Sequence, residues 1–216
     1  MASPLFDQMH IDHSKRVGDP VAAAATDGKI WTAAHRSIHL NEAVRRLMLK
    51  YWKRIEREGD ASPAWDFFRS LKESEGQAMT SNEIALSSYT GGVFHIISVL
   101  NGTTVVKPLP PDYVDDQAAG LISWYDESTT NQYYYIESGN LVNVGGAATD
   151  TMTLKYIKAW TAMTYAYATD IPIPLAYFGQ ILDLAYVIAK EESPKVSPEI
   201  AGLAAAKLAI VEKEIG

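Results

Sequence analysis

The feature that most constrains the fold of this 216-residue chain is that its strand-like segments lie together in the middle of the sequence. Segments rich in Val, Ile, Thr and aromatic residues occupy positions 84–89, 93–100, 103–107, 133–137, 141–144 and 151–157. A Gly-Gly pair at 91–92 and an Asn-Gly pair at 101–102 separate the first three, which predicts a β-meander. Because the strands are grouped rather than alternating with helices, the order favours an α+β fold.

A long helix is predicted before the strands, over residues 30–58. Its apolar positions recur every three or four residues, as in an amphipathic helix, at Leu40, Val44, Leu47, Tyr51 and Ile55. Thr32 is a suitable N-cap, and Gly59 is a suitable residue to end the helix. A shorter helix is expected to begin at Ser62-Pro63, continue to residue 71 and end at Gly76.

Two further helices are predicted after the strands. The first covers residues 175–192 and follows two prolines, and the second begins at Ser197-Pro198-Glu199 and runs towards residue 214. We expect Leu47 and Leu182 to be buried where the long first helix packs on the 175–192 helix. One short turn of helix is also expected after Pro110-Pro111, reaching residue 119.

These patterns predict an α+β fold: a helical bundle, formed by the long N-terminal helix and two C-terminal helices, with a central antiparallel β insertion. The predicted organisation has three parts. Residues 1–80 form an N-terminal arm and the first bundle helices, residues 81–157 form the β-rich insertion, and residues 158–216 form the C-terminal helices of the bundle.

Composition and charge exclude several classes of protein. The chain has no cysteine, which excludes a disulfide scaffold, a thiolate zinc site and a cysteine nucleophile. We expect no secretory signal in the first residues and no membrane-spanning segment. Residues 1–58 carry ten Lys or Arg against seven Asp or Glu (+3), whereas residues 101–154 carry one Lys against seven acids (−6). The acidic segment should repel phosphate backbones, or simply form a solvated face.

His35 and His39 are the first candidate metal ligands, because a spacing of four places both imidazoles on one face of the predicted helix. His10, Asp12 and His13 are further donors upstream. The sequence lacks the H-E-x-x-H pattern of zinc proteases, and no third ligand has a defined spacing. Histidines that cap, stack or face solvent are the simpler interpretation, so we expect no metal site.

Asp112, Asp115 and Asp116 form a carboxylate cluster, and residues 126–127 form a smaller one. Paired carboxylates can act in acid–base catalysis only if burial raises one pKa, and a polar setting beside two prolines favours solvated side chains. The alternative to a structural protein is therefore a small ligand-binding or metal-dependent enzyme that uses the Asp112/Asp115/Asp116 or the His35/His39 cluster. No cofactor is predicted.

Aromatic residues are concentrated near the acidic segment. The chain has 5 Trp and 12 Tyr, including Trp124-Tyr125 and the run Tyr133-Tyr134-Tyr135. Bases could stack on such side chains, but single-strand binding also needs a basic groove, which this segment lacks. Trp and Tyr are enriched at protein interfaces, so subunit contacts are the better interpretation.

Several short motifs occur in a definite order. Residues 27–32 read Asp-Gly-Lys-Ile-Trp-Thr and lead into a Leu-Asn-Glu-Ala run at 40–43. Residues 109–113 read Leu-Pro-Pro-Asp-Tyr, residues 134–136 read Tyr-Tyr-Ile before Gly-Asn-Leu, and a strand at 152–157 precedes Ile-Pro-Ile-Pro at 171–174. In this order the motifs resemble tailed-bacteriophage head-to-tail connector (adaptor) proteins, over residues 27–58 and 105–190.

The resemblance implies a function as well as a fold. Proteins of this family combine a helical bundle with a β insertion and form a ring below the portal, and they have no catalytic residues. It therefore implies a non-enzymatic virion protein, assembled in the host bacterial cytoplasm, with the portal protein and tail or neck proteins as partners. It also implies a homo-oligomeric ring, expected to be a dodecamer, through which genomic DNA passes without specific binding. Another phage neck, tail or baseplate subunit is the alternative within the structural class.

Overall fold

Residues 6–109, 132–144, 150–164 and 172–192 are described by a computed structural model of the chain. The chain divides into a helical unit, Met1–Ser70 with Thr161–Gly216, and a sheet unit, Leu71–Trp160. The described part of the helical unit contains three α-helices: α1 (Phe6–Arg16), α2 (Ala33–Glu58) and α3 (Phe178–Glu192). Single 3₁₀ turns cover Gly59–Ala61, Pro63–Asp66 and Leu175–Tyr177 of this unit.

Helix α2 confirms the strongest sequence prediction. The side chain of Thr32 accepts a hydrogen bond from the backbone N–H of His35 and so caps the helix, as expected. Gly59 adopts φ +73° after the last turn, and its N–H donates to the carbonyl of Ile55. A positive φ is accessible to glycine at little cost, so this residue ends the helix.

The core of the helical unit lies between α2 and its neighbours. Leu47 and Leu182 are both buried in the packing of α2 with α3, which confirms that prediction. The ring of Tyr51 stacks on Phe67 with 4.7 Å between centroids, and its hydroxyl donates to Oε1 of Gln180 at 2.7 Å. The apolar stripe of α2 therefore faces the core, as the three-to-four spacing predicts.

The described part of the sheet unit forms a seven-stranded mixed sheet. Its strands are β1 (Lys72–Ala78), β2 (Glu83–Ala85), β3 (Val93–Asn101), β4 (Thr104–Pro108), β5 (Tyr133–Glu137), β6 (Asn140–Val144) and β7 (Thr151–Lys158). The order is β1-β7-β3-β4-β5-β6-β2, and all neighbours are antiparallel except β4 and β5, which are parallel. The Asn-Gly hairpin at 101–102 joins β3 to β4, as predicted.

A tight turn joins the two edge strands of this sheet. Thr80 and Glu83 form an antiparallel bridge, and Ser81 and Asn82 between them both have positive φ, at +54° and +68°. Two consecutive positive φ values define a type I′ turn, whose twist suits a hairpin. Because β1 and β2 lie at opposite ends of the strand order, this turn brings the sheet close to a closed barrel.

The interior of the sheet is apolar and follows the period of two that strands require. On β7, Met152, Leu154 and Tyr156 are fully buried, and their neighbours Thr151 and Lys155 are exposed. Residues of six other segments pack with them: Met79, Ile84, Tyr89, Val99, Val106 and Leu141. The sheet thus encloses a hydrophobic core of its own.

The expected helical bundle with a β insertion is wrong. Seven strands form the dominant element of the described structure, against three α-helices, and the sheet is mixed rather than antiparallel. The parallel pairing of β4 with β5 makes the sheet mixed, and β1 adds a strand whose sequence, Lys-Glu-Ser-Glu-Gly-Gln-Ala, has no β-branched or aromatic residue. It is nevertheless a strand because seven of its residues pair with β7. Tertiary pairing here overrides local propensity.

Two smaller predictions also fail. The helix expected from Ser62 to Gly76 is instead a pair of 3₁₀ turns followed by β1, so Gly76 lies within a strand. The meander over residues 84–107 is wrong, since β2 pairs with β6 rather than with β3. The helices predicted over 110–119 and 197–214 lie outside the described residues.

Candidate functional site

Buried polar residues are concentrated in the helical unit, around the start of α2. We call residues 17–32, which lead from α1 to α2, the connecting loop, and His10, His13 and His39 the histidine cluster. The buried polar residues in and around the connecting loop and the histidine cluster are His10, His13, Ser14, Asp19, Arg36, Ser37, His39 and Asn41. Buried polar groups require hydrogen-bond partners, and most of these residues find theirs within the helical unit.

Asp19 organises the second half of the connecting loop. Its carboxylate accepts hydrogen bonds from the backbone N–H groups of Lys29, Ile30 and Trp31, at 2.7, 3.0 and 2.9 Å. Burial by itself would raise the pKa of Asp19, but these three donors bring it below its usual range. A Cβ atom at Gly28 would collide with the same carboxylate, so only glycine fits there.

Arg36 holds the same loop from the other side. The guanidinium is fully buried and donates to three carbonyl oxygens: Nη1 to Trp31 at 2.8 Å, and Nη2 to Ala24 at 3.1 Å and Thr26 at 2.5 Å. Burial lowers the pKa of Arg36, and the negative charges of Asp19 and Asp27 oppose that shift. The loop is thus fixed by one buried cation and the acids beside it.

Two side chains of the loop satisfy the free N–H groups at the start of α2. Oδ1 of Asp27 accepts from the N–H of Ala33 at 2.8 Å, and Oγ1 of Thr32 accepts from that of His35 at 3.2 Å. The imidazole of His35 lies 2.9 Å from the same Thr32 oxygen, through Nδ1. His35 therefore belongs to the helix cap.

The histidine cluster links all three helices. Nε2 of His13 on α1 lies 3.3 Å from Nδ1 of His39 on α2, and Nε2 of His39 lies 2.8 Å from Oε2 of Glu192 on α3. Nε2 of His10 lies 3.2 Å from the hydroxyl of Ser37. All three imidazoles are fully buried, whereas the Glu192 side chain is 48% exposed.

The surroundings of these imidazoles favour the neutral form. Burial, with the charge of Arg36, lowers the pKa of His10 to about 4. Burial, together with the nearby His39, His10 and two arginines, lowers the pKa of His13 to about 3. Burial also lowers the pKa of His39, although Glu192 acts in the opposite direction. Near pH 7 the cluster is therefore a set of neutral hydrogen-bonding rings.

A cleft of about 500 Å³ lies beside the cluster, lined by Ile38, Asn41, Glu42, Arg45, Ile188 and Glu192 among others. Asn41 joins α2 to the chain after the sheet, because its Nδ2 donates to the carbonyl of Met163 at 2.7 Å and its Oδ1 accepts from the Met163 N–H at 2.9 Å. Arg46 pairs with Glu42 at 3.0 Å and with Glu191 at 3.5 Å. The charges of this cleft are therefore largely paired with one another.

A polar network centred on Glu75 joins several segments of the sheet unit. Oε2 of Glu75 accepts from the N–H of Thr90 at 2.8 Å and from the hydroxyl of Tyr156 at 3.1 Å. The donors at Thr90, Tyr156 and Gln77 hold the pKa of Glu75 below its usual range, against the effect of burial. Burial and this carboxylate raise the pKa of Tyr156 to about 12. The network ties β1 and β7 to the chain before β3.

The structure separates the two histidines that the sequence pairs as metal ligands. His35 contacts Thr32, whereas His39 contacts His13 and Glu192. No three His, Asp or Glu side chains in the described ranges are close enough to share a metal ion. The carboxylates of 112, 115, 116, 126 and 127 and the aromatics of 124 and 125 lie outside those ranges. Tyr133, Tyr134 and Tyr135 are half-buried on β5.

Sequence reasoning missed the buried polar residues themselves. Asp19 and Arg36 have no motif that reveals their burial. The histidines of α1 do leave a signal: its buried positions Phe6, Met9, His10 and His13 follow the helical spacing once histidine is counted as a core residue.

None of the described helices is long and apolar enough to cross a membrane. No family model matches the chain, and no curated protein is significantly similar to it.

Proposed function

We propose that this chain is a structural subunit of a tailed-phage head-to-tail connector, a ring between portal and tail that closes the head and leaves a passage for DNA. The observation that carries the proposal is how the polar residues of the two N-terminal motifs are used. Asp27 and Thr32 cap α2, and Asn41 binds both backbone groups of Met163. Polar groups engaged in this way position backbone segments, which supports a structural role.

Exposed apolar side chains give a second line of support. Large apolar residues at least two-fifths exposed occur on both units: Ile30, Ile38, Leu49 and Leu175 on the helical unit, and Ile97, Val105 and Ile136 on the sheet unit. Apolar groups on a surface are stabilised when a partner covers them. Subunit contacts in a ring, and contacts with portal and tail, would do so.

The charge distribution fits a passage for DNA. The net charge of −6 over residues 101–154 would repel phosphates, so DNA could slide without adhering. We propose the homo-oligomeric ring as a dodecamer on the resemblance alone, with the portal protein and tail or neck proteins as partners. The mature location is the virion, after assembly in the host cytoplasm.

Reconstitution on phage heads tests the proposal. The full-length chain is added to DNA-filled, portal-bearing heads made without it, and electron microscopy then looks for a symmetric ring at the portal vertex. A ring at that vertex is the expected result. Failure to join such particles would contradict the connector role, and turnover of a small molecule would favour the enzyme alternative.

A charge-reversal variant tests the acidic segment separately. Replacing Asp112, Asp115 and Asp116 with Lys should leave the monomer folded but impair ring assembly or DNA passage. The matched control reverses Glu56, Asp60 and Asp66 of the helical unit and should behave like the parent. Equal yields of infectious particles from both triple variants would show that the acidic segment does not lie near the DNA.

A further inference from the structure

Helix α1 is attached to the helical unit by few apolar side chains and by the histidine cluster. Phe6 and Met9 are its fully buried apolar residues, and His10 and His13 lie between them and the helix end. The helix contacts both α2 and α3. The contacts of two imidazoles and the ion pair of Arg16 with Asp183 are the polar links that join this 11-residue element to α2 and α3.

Glu192 determines the positions of the protons in the cluster. A carboxylate only accepts hydrogen bonds, so Nε2 of His39 carries the proton and Nδ1 of His39 is an acceptor. That acceptor requires His13 to donate from Nε2, which leaves Nδ1 of His13 unprotonated. Nδ1 of His13 is buried and has no partner among the described residues, and the same holds for Nδ1 of His10. Only neutral imidazoles fit this arrangement.

Added protons break the arrangement. A proton on Nδ1 of His39 turns that atom into a donor, so it faces the N–H of His13 across 3.3 Å until His13 changes tautomer. The changed tautomer leaves a buried N–H on His13 without an acceptor, which is costly. A second proton places two cations in contact in a site from which water is excluded.

The charged groups around the cluster are predominantly cationic. Arg16 on α1, and Arg36 and His35 on α2, act unfavourably on a protonated imidazole, and Glu192 on α3 acts favourably on His39. The remaining acids nearby are already engaged: Asp19 and Asp27 face Arg36, and Asp183 on α3 is paired with Arg16. Glu192 can therefore balance one added charge, but not three.

We propose that the histidine cluster is a pH switch, which keeps α1 docked at neutral pH and releases it on acidification while the sheet unit stays folded. The inference does not depend on the proposed connector role. Release is local because α1 packs on α2 and α3, which are helices of its own unit. Its apolar anchor, Phe6 and Met9, is too small to hold two charged imidazoles in a buried position.

The pH dependence follows from proton linkage. The released helix binds more protons than the docked one, so lowering the pH favours release. For His10, with a pKa of 6.5 when free and about 4 when docked, the opening equilibrium rises roughly 30-fold between pH 8 and pH 5. His13 contributes a similar factor, because its docked pKa is lower still.

Hydrogen exchange of the full-length protein, followed by mass spectrometry from pH 8 to pH 5, tests the switch. After correction for intrinsic exchange rates, protection of residues 6–16 should fall by a factor between roughly 30 and 1,000, for one or both histidines. Protection of β7 in the sheet unit should change little. A flat profile for α1, or loss of protection in α1 and β7 together, would overturn the proposal.

Histidine variants identify the groups that titrate. In the triple variant His10→Gln, His13→Gln and His39→Gln, protection of α1 should no longer depend on pH, whereas the control His35→Gln should keep the full decrease. A pH-dependent triple variant, or a flat control, would refute the assignment. If the triple variant does not fold, the ring resonances of His10 and His13 in the parent protein decide. These resonances must titrate with midpoints well below pH 6.5, and the exchange of α1 must rise over the same pH range. A different midpoint for either would overturn the switch.

Discussion

Replacing Arg36 with Met is the most direct test of how the connecting loop is held. Met is similar in length and apolar, so the change removes the charge and its donors with little loss of volume. Three carbonyl oxygens would lose their donor, and Asp19 and Asp27 would lose the cation that faces them. The loop would then contain a buried carboxylate without a compensating charge.

The expected loss of unfolding free energy follows from the three hydrogen bonds that Arg36 would no longer donate. Each carbonyl oxygen left without its donor costs about 1–3 kcal/mol, and least where the contact is only part-buried, so the three together should cost about 3–5 kcal/mol of unfolding free energy. For a chain of this size, each kcal/mol lowers the melting temperature by roughly 2–4 °C, so the melting temperature should fall by roughly 6–20 °C. Arg36→Lys keeps the charge but not the fork of donors, and should lose about 1–3 kcal/mol.

Urea unfolding monitored by circular dichroism at 222 nm, together with calorimetry, measures these values. The matched control is Arg45→Met on the same helix, where the side chain is exposed and lines the cleft. It should change the unfolding free energy by less than about 0.5 kcal/mol. If Arg36→Met costs no more than this control, Arg36 does not hold the loop and the description of the site is wrong.

Further substitutions test the packing and the hydrogen bonds of the connecting loop. Leu47→Ala and Leu182→Ala should each cost about 2–5 kcal/mol in urea unfolding, and two unchanged midpoints would contradict the helix packing. Gly28→Ala should cost about 1–3 kcal/mol by calorimetry, because its methyl group meets Asp19. Gly179→Ala, which meets nothing on α3, should instead be neutral or stabilising by up to about 1 kcal/mol. Asp19→Asn should destabilise at pH 7 by about 1–3 kcal/mol, and the difference should vanish as the pH falls through the lowered pKa of Asp19.

Local patterns in the sequence were sufficient for the elements that bury one regular apolar face. Helix α2 begins after Thr32 and ends at Gly59, as its spacing and caps predict. Strand β5 has its predicted bounds, and β7 extends one residue beyond its prediction. On α2 and β7 the period of 3.6 or 2 places one apolar face in the core, so a single sequence contains the information.

The tertiary structure decided the elements whose buried or paired groups are polar. Helix α1 buries His10 and His13, which a hydropathy pattern counts as exposed, and β1 is a polar strand that exists because β7 pairs with it. The candidate site has the same origin, since Asp19 acquires its partners ten to twelve residues along the chain. A polar side chain can be buried only when distant groups satisfy its hydrogen bonds and charge, and those groups come together only in the folded chain.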